Sequence, residues 1–401
     1  MTDFAVLRAP SQVLFGAGMS AATGRVAADY GRRVLVITDP VIAETPGFAA
    51  VVESLAGLDV TVFPEAAVDV PSSAVDAAVS RGAAAEPDAI VAVGGGSVID
   101  LAKVTALLLA HGGPLSDYYA VQSVPGPVVP LIALPTTAGT GSEATPVAVI
   151  TDPSSEMKVG VASPHLIPRH AICDPRLTVG APAVVTAHSG IDALSHAVES
   201  YMAAREQPSP ELVLGRPQVG KNLLSDALAL TAAGHIYRNL ARAVEDGSDL
   251  AARTGMLYGA LLAGIAFGNS GVSAAHALQF TVGAATHTSH GLGTGLLLPY
   301  VMEFNRSARP DEIAELSSLM GGDAVTQVHA LGLKIGLPAS LADIGVAQAD
   351  LRAMASSAVG IKRLVDNNPR PLDVDALEAI LDAAWHGEPA RLRAVGTAVS
   401  P

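Results

Sequence analysis

Asp192 and His196 stand four residues apart in Gly190-Ile191-Asp192-Ala193-Leu194-Ser195-His196, so a helix through them turns both side chains onto one face. Such a pair can share one cation or form an ordinary surface contact. His276 lies in an apolar stretch (AAHALQF), and His290 precedes glycine in Thr286-His287-Thr288-Ser289-His290-Gly291. One carboxylate and three imidazoles make a donor set suited to Fe2+ or Zn2+, with room for a substrate oxygen. A lone core histidine is usually structural. Four candidates in one part of the chain shift that balance, although spacing by itself does not bring them together. The single cysteine, Cys173, excludes a disulfide framework and a cysteine-based zinc site, and it suits a reducing cytoplasm. Any metal must then be held by imidazole and carboxylate.

Two glycine-rich segments compete for an anionic ligand. Gly94-Gly95-Gly96-Ser97-Val98-Ile99-Asp100 follows a β-branched run and opens a helical one, so its free backbone amides can receive a pyrophosphate. The bland alternative is a tight strand–helix turn. Upstream, Gly16-Ala17-Gly18-Met19-Ser20-Ala21 matches the dinucleotide fingerprint G-x-G-x-x-A, with Asp39 at the end of the next strand. A carboxylate at Asp39 can accept from a ribose 2′-OH and repels a 2′-phosphate, which favours NAD over NADP; the alternative is an ordinary Asp-Pro turn. Residue chemistry alone does not rank the two loops.

These groups need elements to hold them. Strand patterns at 34–38, 59–63, 89–93 and 129–134 alternate with helical composition at 47–56, 72–85 and 98–110, which predicts βαβ units around a parallel sheet. Residues 147–151 and 158–162, split by DPSSE, read as a hairpin. Beyond Pro182 the strand signal stops. Helices are expected at 188–204, 223–246, 248–267 and 273–282, then at 311–320, 325–333, 348–359 and 374–384. The expected organisation is an α/β domain over 1–182 and an all-α domain over 183–401, with 206–221 as an exposed loop because it holds three prolines and two glycines.

Bulk composition narrows the partners. Half of the 401 residues are hydrophobic but only 4% are aromatic, so Ala, Val and Leu must fill the core. A net charge of −14 with no Lys/Arg cluster argues against nucleic-acid binding. No apolar run reaches the ~18 residues of a membrane span; the nearest, 257–267, is broken by Gly259 and Gly264. The first ten residues lack the basic start and apolar stretch of a signal peptide. The apolar composition predicts a homodimer or larger assembly joined through exposed patches.

The chain resembles the iron-containing (group III) alcohol dehydrogenases nearly end to end. The matching motifs are GGGSVID (94–100), LPTTAGTGSEAT (134–145), CDPRLT (173–178), GIDALSHAVESY (190–201), HGLGTGLLLPYVMEFN (290–305) and Asn368-Pro369-Arg370-Pro371. The resemblance implies a Rossmann-like domain followed by a helical one, as in dehydroquinate synthase, with the cleft between them. It implies Asp192, His196, His276 and His290 as metal ligands, with iron expected and zinc an alternative. It places Gly95, Gly96 and Ser97 at the pyrophosphate, against the Gly16 loop, and Asp100, Thr136, Thr137, Thr140 and Lys158 along the cofactor cleft, with Asp39 selecting NAD. Phe280 departs from the pattern, since many members carry a proton-relay histidine there. Proton transfer is then left to water, the cofactor ribose or another residue; His287 is nearby in sequence but reads more readily as structural. Phe280 also favours an uncharged substrate. The implied activity is reversible hydride transfer between an alcohol and NAD. Retention of Asp192 favours it over maleylacetate reductase-like activity, and a hydroxyacid–oxoacid transhydrogenase or a non-enzymatic binding protein are the other readings.

Overall fold

A computed structural model describes residues 3–119, 123–152 and 158–393. Its strands, in chain order, are β1 (Gln12–Phe15), β2 (Arg33–Ile37), β3 (Asp59–Phe63), β4 (Ala89–Gly94), β5 (Leu131–Pro135), β6 (Val147–Ile150), β7 (Val159–Ala162) and β8 (His170–Cys173). Six of them form one parallel sheet in the order β1-β8-β5-β4-β2-β3, and β6 and β7 pair as an antiparallel hairpin. The apolar runs of β2, β4 and β5 follow from burial on both faces. Val34, Val36, Val91 and Val93 enter one core cluster, whereas their neighbours Leu35, Ile37, Ile90 and Ala92 enter the other.

Register decides where the functional loops lie. Gly94 of β4 pairs with Pro135 of β5, and the Thr136 amide donates to the Gly94 carbonyl at 3.0 Å. The loops leaving both strands therefore run side by side, as parallel strands joined by crossovers require. Sequence patterning did not indicate β1 and β8. Each is four residues long, too short for a periodic signal, and each is completed by the other.

The second half is helical among the described residues. The helices that shape the site are Ala183–Met202, Leu223–Glu245, Leu250–Ser270, Ala274–Thr286 and His290–Asn305. Leu250–Ser270, expected as a helix at 248–267, is long and apolar enough to cross a membrane, although no apolar run of that length was expected; 72% of its most apolar window is buried inside the fold. The helix His290–Asn305 was not anticipated, because Gly291, Gly293, Gly295 and Pro299 all weaken helical propensity. The 206–221 segment is not simply an exposed loop: it forms the short helix Pro210–Gly215 and then buries Val219 and Lys221.

The two halves are closely joined. Ala144, Ala171 and Cys173 pack with Leu257, Leu261 and Ile265 in one apolar cluster. The chain's first described residues also cross over: the Phe4 carbonyl accepts from the Leu223 amide at 3.0 Å, and the Arg8 amide donates to Asn269 Oδ1 at 2.7 Å.

Candidate metal and dinucleotide site

Three helices bring the predicted ligands together. Asp192 and His196 share the inner face of Ala183–Met202, His276 lies in the first turn of Ala274–Thr286, and His290 opens the helix that follows. Asp192 Oδ1 is 3.7 Å from His276 Nε2 and 3.8 Å from His290 Nε2, while Asp192 Oδ2 is 3.9 Å from His196 Nε2. Those gaps are too wide for hydrogen bonds, yet they suit donors arranged around one ion with bonds of about 2.1 Å. Donor atoms of Asp192, His276 and His290 all lie within 4.8 Å of one another, and His196 joins them through Asp192. His276 Nε2 is buried with no hydrogen-bond partner. An orphaned imidazole nitrogen facing a carboxylate is what a cation of this class requires, and the donor set fits it.

A buried carboxylate fixes His276 in place. Glu199 accepts from His276 Nδ1 at 2.5 Å, the Ala275 amide at 2.7 Å, and the amide and hydroxyl of Ser273 at 3.1 Å each. The imidazole is thereby oriented with Nε2 toward Asp192. Thr294, one turn after His290, donates to Asp192 Oδ1 at 2.7 Å. The sequence reading singled out neither residue. Glu199 was recoverable, since Asp192, His196 and Glu199 at i, i+4 and i+7 form one helical stripe.

The local electrostatics follow from burial and charge. Burial opposes ionisation of Asp192, but the three imidazoles and the Thr294 hydroxyl outweigh it and hold the carboxyl below its usual range. Burial pushes His196 down to about 4, and it lowers His290 as well. Burial also acts against the charged form of His276, but Glu199 prevails and raises it.

The glycine loop forms the opposite wall. Gly95 precedes the helix Gly96–His111, and no side chain caps that helix start. A Cβ on Gly96 would lie 2.5 Å from Thr140 Cγ2, so only glycine lets the Thr136–Gly141 loop close over this turn. The rival loop is already satisfied from within: Asp174 Oδ2 accepts from the Gly18 amide at 2.9 Å and from the Ser20 amide and hydroxyl at 3.1 and 2.7 Å. Its anion is the chain's own carboxylate.

Between the walls lies a cleft of about 1050 Å³ of empty space. Gly96, Ser97, Asp100, Thr140 and Lys158 face it from one side, and the four predicted ligands and Phe280 from the other. Gly95, Thr136 and Thr137 stand behind that lining: Thr136 is buried, and Thr137 packs where a Gly95 side chain would be. Asp39 also lies outside the lining. Its Oδ1 caps the short helix Pro40–Ala43, accepting from the Val41 and Ile42 amides at 2.9 Å each. The Asp-Pro turn is therefore present, with Oδ2 outside the cap. Asp100 is tied inward, accepting from the Ser142 hydroxyl and from the Val149 amide at 2.9 Å. Lys103, fully buried, donates to Ser142 Oγ, the Thr145 carbonyl and the Val147 carbonyl, and burial brings it down to about 8.

Lys158 pairs with Asp69 at 2.5 Å, joining β7 to the turn after β3. Phe280 presents an apolar ring with its centroid 6.2 Å from that of His290. His287 ends its helix in a left-handed conformation (φ 54°), exposed and outside the cleft lining.

Known proteins share the sequence and fold of this chain. The family model described as iron-containing alcohol dehydrogenase matches residues 10–175, and that of the C-terminal part of the Fe-containing alcohol dehydrogenases matches residues 186–385. The chain is 33% identical over 399 residues to an NAD-dependent methanol dehydrogenase from Bacillus methanolicus, covering 96% of this chain and all of that protein. Its fold superposes on a 1,3-propanediol oxidoreductase with a TM-score of 0.88 at 31% identity, covering 95% of this chain and all of the other. A maleylacetate reductase from Rhizobium sp. strain MTP-10005 superposes with a TM-score of 0.80 at 30% identity, covering 97% and 99% of the two chains.

Proposed function

The chain belongs to the iron-containing alcohol dehydrogenase family, and we propose that it interconverts an alcohol and its aldehyde or ketone using NAD in preference to NADP. One observation carries the reading: Asp192, His276 and His290 converge, with His276 Nε2 unpartnered, across one cleft from an uncapped glycine turn. For NAD, the support is Asp39 at the carboxyl end of β2 and the NAD-dependent relative from Bacillus methanolicus.

When bound, a divalent ion held by Asp192, His196, His276 and His290 supplies Lewis acidity to an alcohol or carbonyl oxygen, and the nicotinamide supplies the hydride acceptor or donor. The residues present do the rest. Asp192 offsets the ion's charge, and Glu199 and Thr294 keep two of its ligands in register. The amides at the start of Gly96–His111 receive the pyrophosphate. Phe267 stacks on His196 with centroids 4.2 Å apart, and Phe280 covers the His290 side, so both exclude water from the ligands. Phe280 moves no proton, so the alcohol proton is left to solvent. Iron is the expected ion, although zinc suits the same donors. The free, buried Cys173 fits a cytoplasmic enzyme, and a homodimer or larger assembly belongs to the same reading.

The test is NAD+ reduction by the protein reconstituted separately with Fe2+ and Zn2+, over short and long alcohols, diols and hydroxy acids. His276→Ala should lose both retained metal and turnover. Full activity in a metal-free His276→Ala variant would overturn the reading. Turnover without added NAD+, when an alcohol and an oxoacid are supplied together, would reassign the enzyme as a transhydrogenase.

A further inference from the structure

Arg363 stands in the wall of the cleft that holds the metal ligands, on the short helix Lys362–Val365. That helix packs against Ala274–Thr286, which carries His276, and the guanidinium charge is felt at His276. Among the described residues Arg363 makes no ion pair and no hydrogen bond. Acids are not scarce, since the chain carries 38 acidic residues against 24 basic ones. The other cation facing the cleft, Lys158, is neutralised by Asp69 at 2.5 Å. Arg363 is solvent-exposed at the cleft wall and is the positive charge of that lining with no acidic partner. Near it, Phe267, Val272, Leu364 and the partly buried Phe280 form one apolar cluster, and all four face the same cleft.

A single cleft therefore offers three chemistries: a cation-binding donor set, an apolar surface and an unpaired guanidinium. A matching molecule has a hydroxyl or carbonyl at one end, a short methylene chain, and an anion at the other end. The planar fork of arginine pairs with a carboxylate through two parallel hydrogen bonds, a geometry no neutral end group reproduces. We propose that Arg363 is a specificity-determining residue that binds a substrate carboxylate, so that the preferred substrates are short ω-hydroxy acids and the corresponding aldehyde acids. The inference rests on the dehydrogenase reading above and names its substrate class. In the oxidative direction the carbinol carbon gives a hydride to NAD+ and its hydroxyl gives a proton to solvent, yielding aldehyde, NADH and H+ with the carboxylate unchanged. Phe280 alone pointed to an uncharged substrate. Arg363 changes that expectation for the far end of the molecule.

The test compares kcat/KM for 3-hydroxypropanoate, 4-hydroxybutanoate and 6-hydroxyhexanoate with that for the diols of equal length, in the metal-loaded enzyme and in Arg363→Ala and Arg363→Lys. At least one acid should be preferred to its diol, and Arg363→Ala should lower the acid-to-diol ratio on the order of 10–100-fold, the worth of a charge-assisted hydrogen bond. Arg363→Lys should fall between. A ratio unmoved in Arg363→Ala, or a wild-type enzyme that prefers every diol, would overturn the inference. Calorimetric titration with butanoate gives a readout independent of turnover. If no acid, diol or simple alcohol reacts, the dehydrogenase reading fails; weaker butanoate binding in Arg363→Ala then still supports the anion site, and equal binding refutes it.

Discussion

Glu199 shows how much of the site depends on a residue that touches neither substrate nor cofactor. Its two oxygens collect four hydrogen bonds, three of them from Ser273 and Ala275 at the start of the His276 helix. Glu199→Gln keeps the shape but not the charge that orients and polarises His276. Metal affinity should fall roughly 10–100-fold with the fold retained, measured by competition with a chelator and checked by circular dichroism; unchanged affinity would remove Glu199 from the site. A second buried acid, Glu143, governs stability instead. Burial raises it from the usual 4.5 to about 7, with nearby Lys103 acting in the opposite sense. Between those two values the folded chain keeps a proton that the unfolded chain has released. The stability this group contributes is therefore complete below pH 4.5 and is lost as the pH rises through 7. Glu143→Gln should gain thermal stability relative to wild type from about pH 5 to about pH 8, read from Tm at each pH. A constant difference would contradict the assignment.

At the scale of elements, the helix His290–Asn305 is informative because its residues argue against it. Its glycines mark close contact with other helices rather than a break. A Cβ on Gly291 would lie 2.1 Å from the His188 carbonyl oxygen and 3.1 Å from Asp192 Cβ, so this helix presses backbone to backbone on the one that carries Asp192. Gly291→Ala should gain up to ~1 kcal/mol in helical propensity but lose more, since a carbonyl cannot swing aside as a side-chain tip can. A net loss of about 2 kcal/mol is expected from denaturant unfolding, together with weaker metal retention. A stabilised variant would show that the contact can relax. The βα units, by contrast, were legible from their residues: β3 spans Asp59–Phe63 as read, and the helix Ser72–Ala85 matches to the residue. Local pattern sufficed there because each unit buries an apolar run of its own. The short strands β1 and β8 and the glycine-rich helix escaped because their stability comes from partners far along the chain.

Across the whole molecule, the proposed function requires the glycine turn of one half to face the candidate ligands of the other. Gly141, in the loop beside that turn, meets Gly264 in the central helix of the helical half. A Cβ on Gly141 would lie 2.5 Å from the Gly264 Cα, and one on Gly264 would lie 2.8 Å from the Gly141 Cα. Gly141 also has φ +61°, where a side chain is strained. Gly264→Ala should therefore push the halves apart, weakening binding of the proposed dinucleotide more than metal retention, because the four candidate ligands all belong to the helical half. Calorimetric titration of each would check this, and equal losses would argue against that role for the Gly141–Gly264 contact. The order of types along the chain was enough to identify α/β followed by α, and the i, i+4 pair with two further histidines was enough to mark a candidate donor set, though not to bring it together. Those signals are local, carried by spacing along one helix or across one turn. The sequence could not rank the Gly16 loop below Gly94–Gly96 by chemistry alone; that needed Asp174, over 150 residues away, filling the first loop. Nor did it mark Arg363, whose unpaired charge acquires meaning only when folding sets it in the same cleft as His276. Distance along the chain hides such pairings, and only tertiary packing settles which charges are neutralised and which stay available to a ligand.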